Sequence, residues 1–371
     1  AEKFLGEWIN NKILLQEEKE SFYLHTITFT DPLTLQEKQI NLLVALLDLE
    51  NSKHLIYPHE NICEGPVIDR MNLVHHTQAN FGCVYILYED KEYTLEQKVF
   101  NRIVDQKPIF EFQFFDNTYH KLFKIDAEGD IKTITDFLTE KDGFIADGHH
   151  RYMAALKYYE YRQKENLQPD KAKYRLVSLA NVYDRNLLIL PTHRIVYKKA
   201  IFNSVDEFIS LLIKYYEIEE APPVVNYDSI KKHISEMNKY NMISFLIYLN
   251  KYKKLFKLTS RFLTDYNKII SINASNRLKN INTTVLHHLI LPCLYGIRVE
   301  NMKIPEEIDF SKSLVEAVTK CNDDKVDCVI FLSSMKVEDL IFIAKLGEKI
   351  PQKTTFFYPK IPSGLTIYKF E

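Results

Sequence analysis

Apolar positions along the chain follow two different periods, which together predict a mixture of strands and helices. Alternation with a period of two is typical of strands with one buried face, and it occurs at residues 22–29 and 42–49. Further strands are predicted at residues 83–88, 109–114, 121–125, 144–146, 175–180, 189–197, 243–248, 254–259 and 326–332. Helical spacing predicts helices at residues 1–17, 91–101, 131–138, 149–166, 205–216, 227–240, 285–291 and 336–348. Because strict βαβ alternation is missing, the pattern indicates an α+β fold.

The chain of 371 residues is long enough for two or three domains with a sizeable core. We expect an N-terminal α/β part at residues 1–95, a core at residues 96–200 and a C-terminal α+β part at residues 201–371. No long linker separates them, and Pro222-Pro223 mark a local break. The first helical stripe starts without a cap or an initiator Met, so we expect the sequence to be processed or truncated at this end.

Composition excludes several functional classes. The net charge of −2 gives no global positive field, and no helix-turn-helix pattern occurs, so we expect no nucleic-acid partner. No apolar run reaches 18 residues, so we expect no membrane partner. Five cysteines occur without a CxxC motif, which indicates reduced thiols in a cytoplasmic protein. No Gly is followed by Lys, which excludes a P-loop, and GxGxxG, HRD and DFG motifs are absent.

The most informative segment is residues 144–152, Phe-Ile-Ala-Asp-Gly-His-His-Arg-Tyr. An apolar run ends in an Asp147-Gly148 turn, and a helical pattern follows with His149, His150 and Arg151 in its first turn. A helix start exposes unpaired N–H groups and the positive end of the helix dipole, so this junction is a candidate phosphate-binding site. Its alternative interpretation is an ordinary polar junction, in which Asp147 caps the helix and Arg151 forms a surface ion pair.

The string Ala-Asp-Gly-His-His-Arg-Tyr resembles the phosphate-binding segment of the ParB–sulfiredoxin superfamily. It is similar to free L-serine kinases and to a prokaryotic family of unknown function, number ten-fifteen. Pro58-His59-Glu60, Pro191-Thr192-His193-Arg194 and residues 351–365 look like further pieces of the same family. Pro-His-Glu, Asp-Gly-His-His-Arg and Pro-x-Lys-Thr-Thr also look like segments of the free serine kinases, in the same order. The resemblance implies a ParB/sulfiredoxin-like core with additional mixed α/β segments.

The resemblance also implies roles for the residues of the signature and of the Pro-His-Glu motif. Gly148, His149 and Arg151 would bind nucleotide phosphates. Asp147 and His150 would be catalytic, and Asp147 could coordinate Mg²⁺ that bridges the phosphates of ATP or ADP. Glu60 would be the general base for a substrate hydroxyl. His59-Glu60 is not part of an HExxH zinc motif, since Cys63 stands at the second His position.

Substrate-binding residues are expected near the C-terminus and after the signature helix. Lys353, Thr354 and Thr355 form a cluster of hydrogen-bond donors that suits a phosphate or a zwitterion. The alternative is a solvated loop. His193 and Arg194 could line the same cleft or be structural. Where the kinases continue with Arg and His, this chain has Phe356-Phe357, which favours a more apolar hydroxyl compound than L-serine.

These features support three hypotheses. The first is a small-molecule kinase that resembles free serine kinases and transfers the terminal phosphoryl group of a nucleotide to a hydroxyl such as that of L-serine. The second is a ParB-like nucleotide-binding switch or scaffold. The third is a stable fold whose catalytic function has been lost. A carboxylate within reach of the terminal phosphate would distinguish the first hypothesis from the second.

Overall fold

The computed structural model describes residues 1–167, 171–239, 242–298 and 306–370. The chain forms two compact units. Unit 1 comprises Ala1–Pro58, Ile62–Leu188 and Pro359–Glu371, and unit 2 comprises His59–Asn61 and Ile189–Tyr358. The protein is therefore a mixed α/β structure in which each unit has its own sheet.

Unit 1 is organised around an eight-stranded mixed sheet. The strands of unit 1, which include two outside this large sheet, are β1 (Phe22–Thr30), β2 (Glu37–Asp48), β3 (Ile56–Tyr57), β4 (Ala79–Asn80), β5 (Val84–Tyr88), β6 (Phe110–Gln113), β7 (Tyr119–Ile125), β8 (Gly143–Asp147), β9 (Tyr174–Asn181) and, near the C-terminus, β18 (Tyr368–Lys369). The order in the large sheet is β3-β8-β5-β9-β2-β1-β7-β6, and β4 pairs with β18 separately. β8 pairs parallel to β3 and antiparallel to β5, while β5 pairs parallel to β9.

The helices of unit 1 alternate irregularly with its strands along the chain. They are α1 (Glu2–Asn10), α2 (Leu49–Ser52), α3 (Glu64–Thr77), α4 (Asn101–Ile103), α5 (Glu128–Leu138) and α6 (His149–Lys164). A π-helical segment, Glu96–Phe100, leads into α4. Tyr152 and Tyr159 of α6 lie in one buried cluster with Ile86, Ile145 and Val177 of the sheet. This packing fixes the start of α6 at the end of β8.

Unit 2 contains a six-stranded antiparallel sheet in the order β12-β14-β13-β16-β11-β15. Its strands are β10 (Leu188–Leu190), β11 (His193–Val196), β12 (Tyr216–Ala221), β13 (Ser244–Leu249), β14 (Lys254–Ser260), β15 (Ile308–Ser311), β16 (Cys328–Leu332) and β17 (Phe356–Tyr358), of which β10 and β17 pair separately. All five residues of β16 are buried, as expected for its continuous apolar run at the centre of the sheet.

The helices of unit 2 include several that share a large apolar core with the sheet. They are α7 (Val205–Leu212), α8 (Tyr227–Lys239), α9 (Tyr266–Ile269), α10 (Asn276–Lys279), α11 (Asn282–Val285), α12 (Leu291–Tyr295), α13 (Leu314–Lys320) and α14 (Val337–Lys345). A π-helical segment, Leu286–Ile290, joins α11 to α12. Within the described residues, no helix combines the length and the apolar character that crossing a membrane requires.

Several predicted elements differ from the structure. The predicted helix at residues 1–17 ends at Asn10, and the last residue of the predicted helix at 227–240 lies outside the described residues. Helix α3 was not predicted, because only Val67, Val74 and Thr77 of its 14 residues are buried. Strands from both sides of residue 95 share one sheet. The three-part domain division and the ParB/sulfiredoxin-like core stay predictions.

Candidate phosphate-binding site

The Asp147-Gly148 turn connects β8 to α6 in unit 1. Gly148 has φ +93° and ψ 25°, a left-handed conformation that glycine adopts without steric cost. Gly148, and not Asp147, precedes the first helical residue, so the predicted capping role of Asp147 is replaced by a local contact. Oδ1 of Asp147 accepts a hydrogen bond from the Gly148 N–H at 2.9 Å. The other carboxylate oxygen, Oδ2, lies close to the side chains of Arg151 and Lys360.

Arg151 lies in the first turn of α6 and packs against two glycines. Its Nη2 is 3.6 Å from Oδ2 of Asp147, and its side chain is 28% exposed. A Cβ atom at position 148 would lie 2.8 Å from Nε of Arg151. A Cβ atom at position 82 would lie 3.2 Å from Nη1 of Arg151 and 2.8 Å from Oγ of Ser363. Both glycines therefore provide the space that the guanidinium occupies.

Lys360 is a further cation of this cluster, which the sequence did not identify. Its Nζ lies 3.0 Å from Oδ2 of Asp147, and its side chain is 41% exposed. Burial tends to raise the pKa of Asp147, but Lys360 and Arg151 outweigh this effect and hold the pKa below its ordinary value. We call Asp147, Gly148, Arg151, Lys360 and Ser363 the α6 seat.

A second arginine lies behind the α6 seat. Arg175 of β9 is buried, and its guanidinium donates to Oδ1 of Asn80 and to the carbonyl of Gly82. Burial, followed by the positive charge of Arg151, lowers the pKa of Arg175 to about 9, so Arg175 stays protonated at neutral pH. Its Nε has no hydrogen-bond partner within the described part of the chain. Arg175 therefore adds charge and fixes the backbone at Gly82.

The two histidines of the signature have different surroundings. Nε2 of His150 accepts a hydrogen bond from the backbone N–H of Cys63 at 3.3 Å, at the residue that precedes α3. His149 is buried. The acceptor role of His150 Nε2 places the proton of the neutral ring on Nδ1.

The remaining predicted site residues belong to unit 2. Glu60 is half-buried and forms an isolated parallel bridge with Ile350, whose N–H donates to the carbonyl of His59 at 2.9 Å. These contacts hold the Pro-His-Glu motif against the segment that follows α14. The structure thus brings the predicted residues together in two groups, one in each unit.

Arg194 and His193 lie on β11 in the interior of unit 2. Arg194 is fully buried, donates to the carbonyls of Thr192 and Lys353, and lies 4.5 Å from the ring centre of Phe310. Burial lowers its pKa to about 9. Nδ1 of His193 accepts the Leu332 N–H at 3.3 Å, and burial together with Arg194 lowers the pKa of His193 to about 3. Both side chains make structural contacts.

The Lys-Thr-Thr loop is held from inside unit 2. The hydroxyl of Thr354 is buried, donates to the Pro351 carbonyl at 2.6 Å and lies 2.9 Å from Oγ1 of Thr283. Lys353 has φ +57° and an exposed side chain, and Thr355 is half-buried. Hydrogen bonds from Arg194 and Thr354 therefore fix the backbone of the loop, and the side chain of Lys353 is exposed to solvent.

Residues 1–284 match the family model described as "Protein of unknown function (DUF1015)". The chain belongs to this family. No curated protein sequence matches it. Membership of the ParB–sulfiredoxin superfamily stays a prediction.

Three solved structures resemble this chain at low identity. Free serine kinase in complex with AMP is 13% identical over 87% of this chain and 92% of its own, with a TM-score of 0.38. A conserved hypothetical protein from Pyrococcus furiosus is 14% identical over 86% and 93%, with a TM-score of 0.36. SbnI with C-terminal truncation from Staphylococcus aureus is 10% identical over 87% and 86%, with a TM-score of 0.35. These likenesses carry no functional argument.

The magnesium ion expected at Asp147 does not fit the α6 seat well. Magnesium in nucleotide sites is usually held by one or two carboxylates together with phosphates and water. Oδ1 of Asp147 accepts the Gly148 N–H, and Oδ2 pairs with Lys360 and Arg151. A metal at Oδ2 would have to displace the Lys360 ammonium. No group of three or more potential metal ligands occurs within the described ranges.

Proposed function

We propose that this protein is a small-molecule kinase that binds a nucleotide by its phosphates at the α6 seat and transfers a phosphoryl group to a hydroxyl compound. The observation that carries the proposal is the cluster of partly exposed cations, Arg151 and Lys360, at the start of a 16-residue helix. Oxygen atoms of a phosphate would accept hydrogen bonds from these cations, from the Ser363 hydroxyl and from the N–H groups of the first helical turn.

Glu60 is proposed as the general base. A hydroxyl is a poor nucleophile, and a positioned carboxylate accepts its proton while the new oxygen–phosphorus bond forms and the bond to the departing nucleotide breaks. His150 would orient the phosphates, since its ring is fixed by Cys63. Positioning and charge neutralisation would supply most of the rate, as in other phosphoryl transfers.

The acceptor is proposed to contact the Lys-Thr-Thr loop. Lys353 and Thr355 would bind its polar group, while His193, Arg194 and Thr354 would shape the loop from inside. Phe356 follows Thr355 directly and is half-buried, which favours an acceptor with apolar surface. L-Serine is the first compound to test. We assign the reaction to the cytoplasm, because all five cysteines are free thiols.

Nucleotide binding by the Arg151→Ala variant tests the phosphate contact. We expect isothermal titration with ATP, ADP and CTP to show a loss of about 1–3 kcal/mol, because the variant lacks the charge-assisted hydrogen bonds of the guanidinium. Arg185→Ala, at an exposed arginine of the same unit, is the matched control and should bind like the parent. Unchanged affinity of Arg151→Ala, or a parent that binds no nucleotide, would contradict the proposal.

The Glu60→Gln variant tests the transfer step. Gln keeps the size of the side chain but cannot accept the proton, so we expect phosphorylation to slow about 10²-fold or more while nucleotide affinity stays unchanged. The assay follows phosphorylation of L-serine and a panel of hydroxyl compounds with ATP and ADP. Glu219→Gln, at an exposed position of the same unit, is the control. A parent that binds nucleotide and phosphorylates nothing would favour the nucleotide-binding switch.

A further inference from the structure

We propose that the α6 seat binds a dianionic phosphate group with cations of its own chain, and that Lys360 occupies at Asp147 the place of a divalent cation. Nucleotide binding would then not require metal. This inference rests on the proposed function, because it concerns the same phosphate site. It differs from the magnesium-dependent nucleotide site that the signature alone suggests.

The geometry of Asp147 is the first support. The carboxylate is oriented on one side by the Gly148 N–H at 2.9 Å and faces Nζ of Lys360 at 3.0 Å on the other. Arg151 approaches the same oxygen at 3.6 Å. An ammonium at this distance supplies a positive charge next to the site where the phosphate would bind, which is the electrostatic role of a metal ion in phosphate sites.

Lys360 belongs to a segment that is anchored in unit 1. The N–H of Gly364 donates to the carbonyl of Phe81 at 2.8 Å, next to Gly82, which lies beside Arg151. Further along, β18 pairs with β4, and the N–H of Phe370 donates to the carbonyl of Gln78 at 2.8 Å. The backbone on the C-terminal side of Ser363, which follows Lys360, is therefore anchored in unit 1.

Three positively charged side chains lie around Asp147. Arg151 and Lys360 contact its carboxylate, and the buried Arg175 is close enough for the charge of Arg151 to lower its pKa. A phosphate monoester carries between about −1.5 and −2 at neutral pH. These cations would therefore offset the charge on the terminal phosphate of AMP or ADP, as a metal ion does in other phosphate sites.

Titration of AMP with excess EDTA and with excess magnesium chloride tests this inference. We expect the full-length parent to bind AMP with affinities within about twofold of each other in the two buffers. Lys360→Gln should weaken AMP binding in EDTA about tenfold or more, since it lacks a charge-assisted hydrogen bond. Lys360→Arg keeps the charge and should retain most of the affinity.

Lys132→Gln is the matched control, because Lys132 is an exposed lysine of α5 in the same unit. It should bind AMP like the parent, and thermal unfolding should show that each variant is folded. AMP binding by the parent that needs magnesium, or Lys360→Gln binding as tightly as the parent in EDTA, would overturn the inference and leave the proposed kinase intact. A parent that binds AMP in neither buffer would overturn both.

Discussion

Arg175 in unit 1 and Arg194 in unit 2 are both buried, and burial lowers the pKa of each to about 9. Both donate to backbone carbonyls, Arg175 to Gly82 and Arg194 to Thr192 and Lys353. Their neighbours differ. Arg175 lies close enough to the partly exposed Arg151 for the charge of Arg151 to contribute to its lowered pKa, whereas Arg194 lies over the ring of Phe310.

The comparison separates two uses of a buried guanidinium. Arg194 organises a loop, because its hydrogen bonds end on carbonyls of its own unit and its charge is covered by an aromatic ring. Arg175 supports a surface, because it adds positive charge behind cations that solvent can reach. A phosphate can be neutralised only where cations are accessible, so the two clusters predict different responses to substitution.

The largest expected effect is on unit 2. Arg194→Ala would leave the carbonyls of Thr192 and Lys353 without their buried donor and open a cavity next to Phe310. We expect urea denaturation to show a loss of about 3–5 kcal/mol in the free energy of unfolding, with AMP affinity unchanged. Arg175→Ala should instead lower both stability and AMP affinity.

Arg298→Ala is the control for this pair, since Arg298 is exposed in unit 2. It should leave both quantities within about 0.5 kcal/mol of the parent. The comparison fails if a folded Arg194→Ala variant loses AMP binding while Arg175→Ala keeps it.

Acid should destabilise both units through buried histidines. His25 of unit 1 lies 2.9 Å from Nδ1 of His120, and burial together with His120 lowers its pKa from 6.5 to about 3. In unit 2, burial and Arg194 lower the pKa of His193 to about 3. Each folded-state pKa lies below the unfolded value, so the unfolded chain binds a proton that the native state excludes, and stability falls as the pH drops below about 6.5.

We expect a loss of about 2 kcal/mol for each histidine between pH 7 and pH 5, since one pKa unit is worth about 1.4 kcal/mol. Urea unfolding at several pH values measures this dependence. His25→Gln and His193→Asn keep a hydrogen-bonding group and should each make the pH dependence shallower. A parent equally stable at pH 7 and pH 5 would show that these rings are not excluded from protonation.

The local part of the candidate site was predictable from the sequence. An apolar run, Asp147-Gly148 and a helical pattern are adjacent along the chain, so their strand-turn-helix geometry follows from local preferences. Lys360 is 213 residues away from Asp147, and only the folding of the C-terminal segment onto unit 1 brings them together. Arg175 and Gly82 were missed for the same reason. No spacing rule relates residues that are brought together by separate strands.

The sequence also could not predict which particular side chains are buried. Thr354 is predicted to bind substrate, and nothing in the sequence indicated that its hydroxyl would also donate to the Pro351 carbonyl and contact Thr283. The residue type shows that a side chain can donate a hydrogen bond, whereas the group that accepts the bond depends on how the side chain packs. The assignment of Lys353, Thr354 and Thr355 to substrate binding stays a prediction.

Two glycines in the left-handed backbone conformation, one in each unit, extend the comparison of the two units to smaller effects. Gly148 has φ +93° and Gly347, after α14, has φ +72°. Alanine at either position should cost about 1–2 kcal/mol of stability, because a left-handed conformation is strained for a residue with a Cβ atom. Gly148→Ala should also weaken AMP binding about tenfold, since its Cβ would displace Arg151.

Gly347→Ala is the matched control for that effect, because its new Cβ would have no atom within 4 Å among the described residues other than Gly347 itself and its two chain neighbours. Thermal unfolding and AMP titration of the two variants separate the backbone strain from the displaced guanidinium. Equal AMP affinity in both variants would mean that the position of Arg151 does not determine phosphate binding.

The smallest expected effect is on DNA, which tests whether either cationic cluster belongs to an extended phosphate-binding surface. The α6 seat exposes two cations around one carboxylate, and the guanidinium of Arg194 is buried, so neither can follow successive phosphates along a duplex. The chain as a whole has a net charge of −2. Since non-specific DNA affinity comes from many phosphate contacts, we expect no gel shift of random duplex at sub-micromolar protein and physiological salt. A salt-sensitive gel shift that disappears in Arg151→Ala would show that the α6 seat is part of a nucleic-acid site, and it would favour the ParB-like alternative over the kinase.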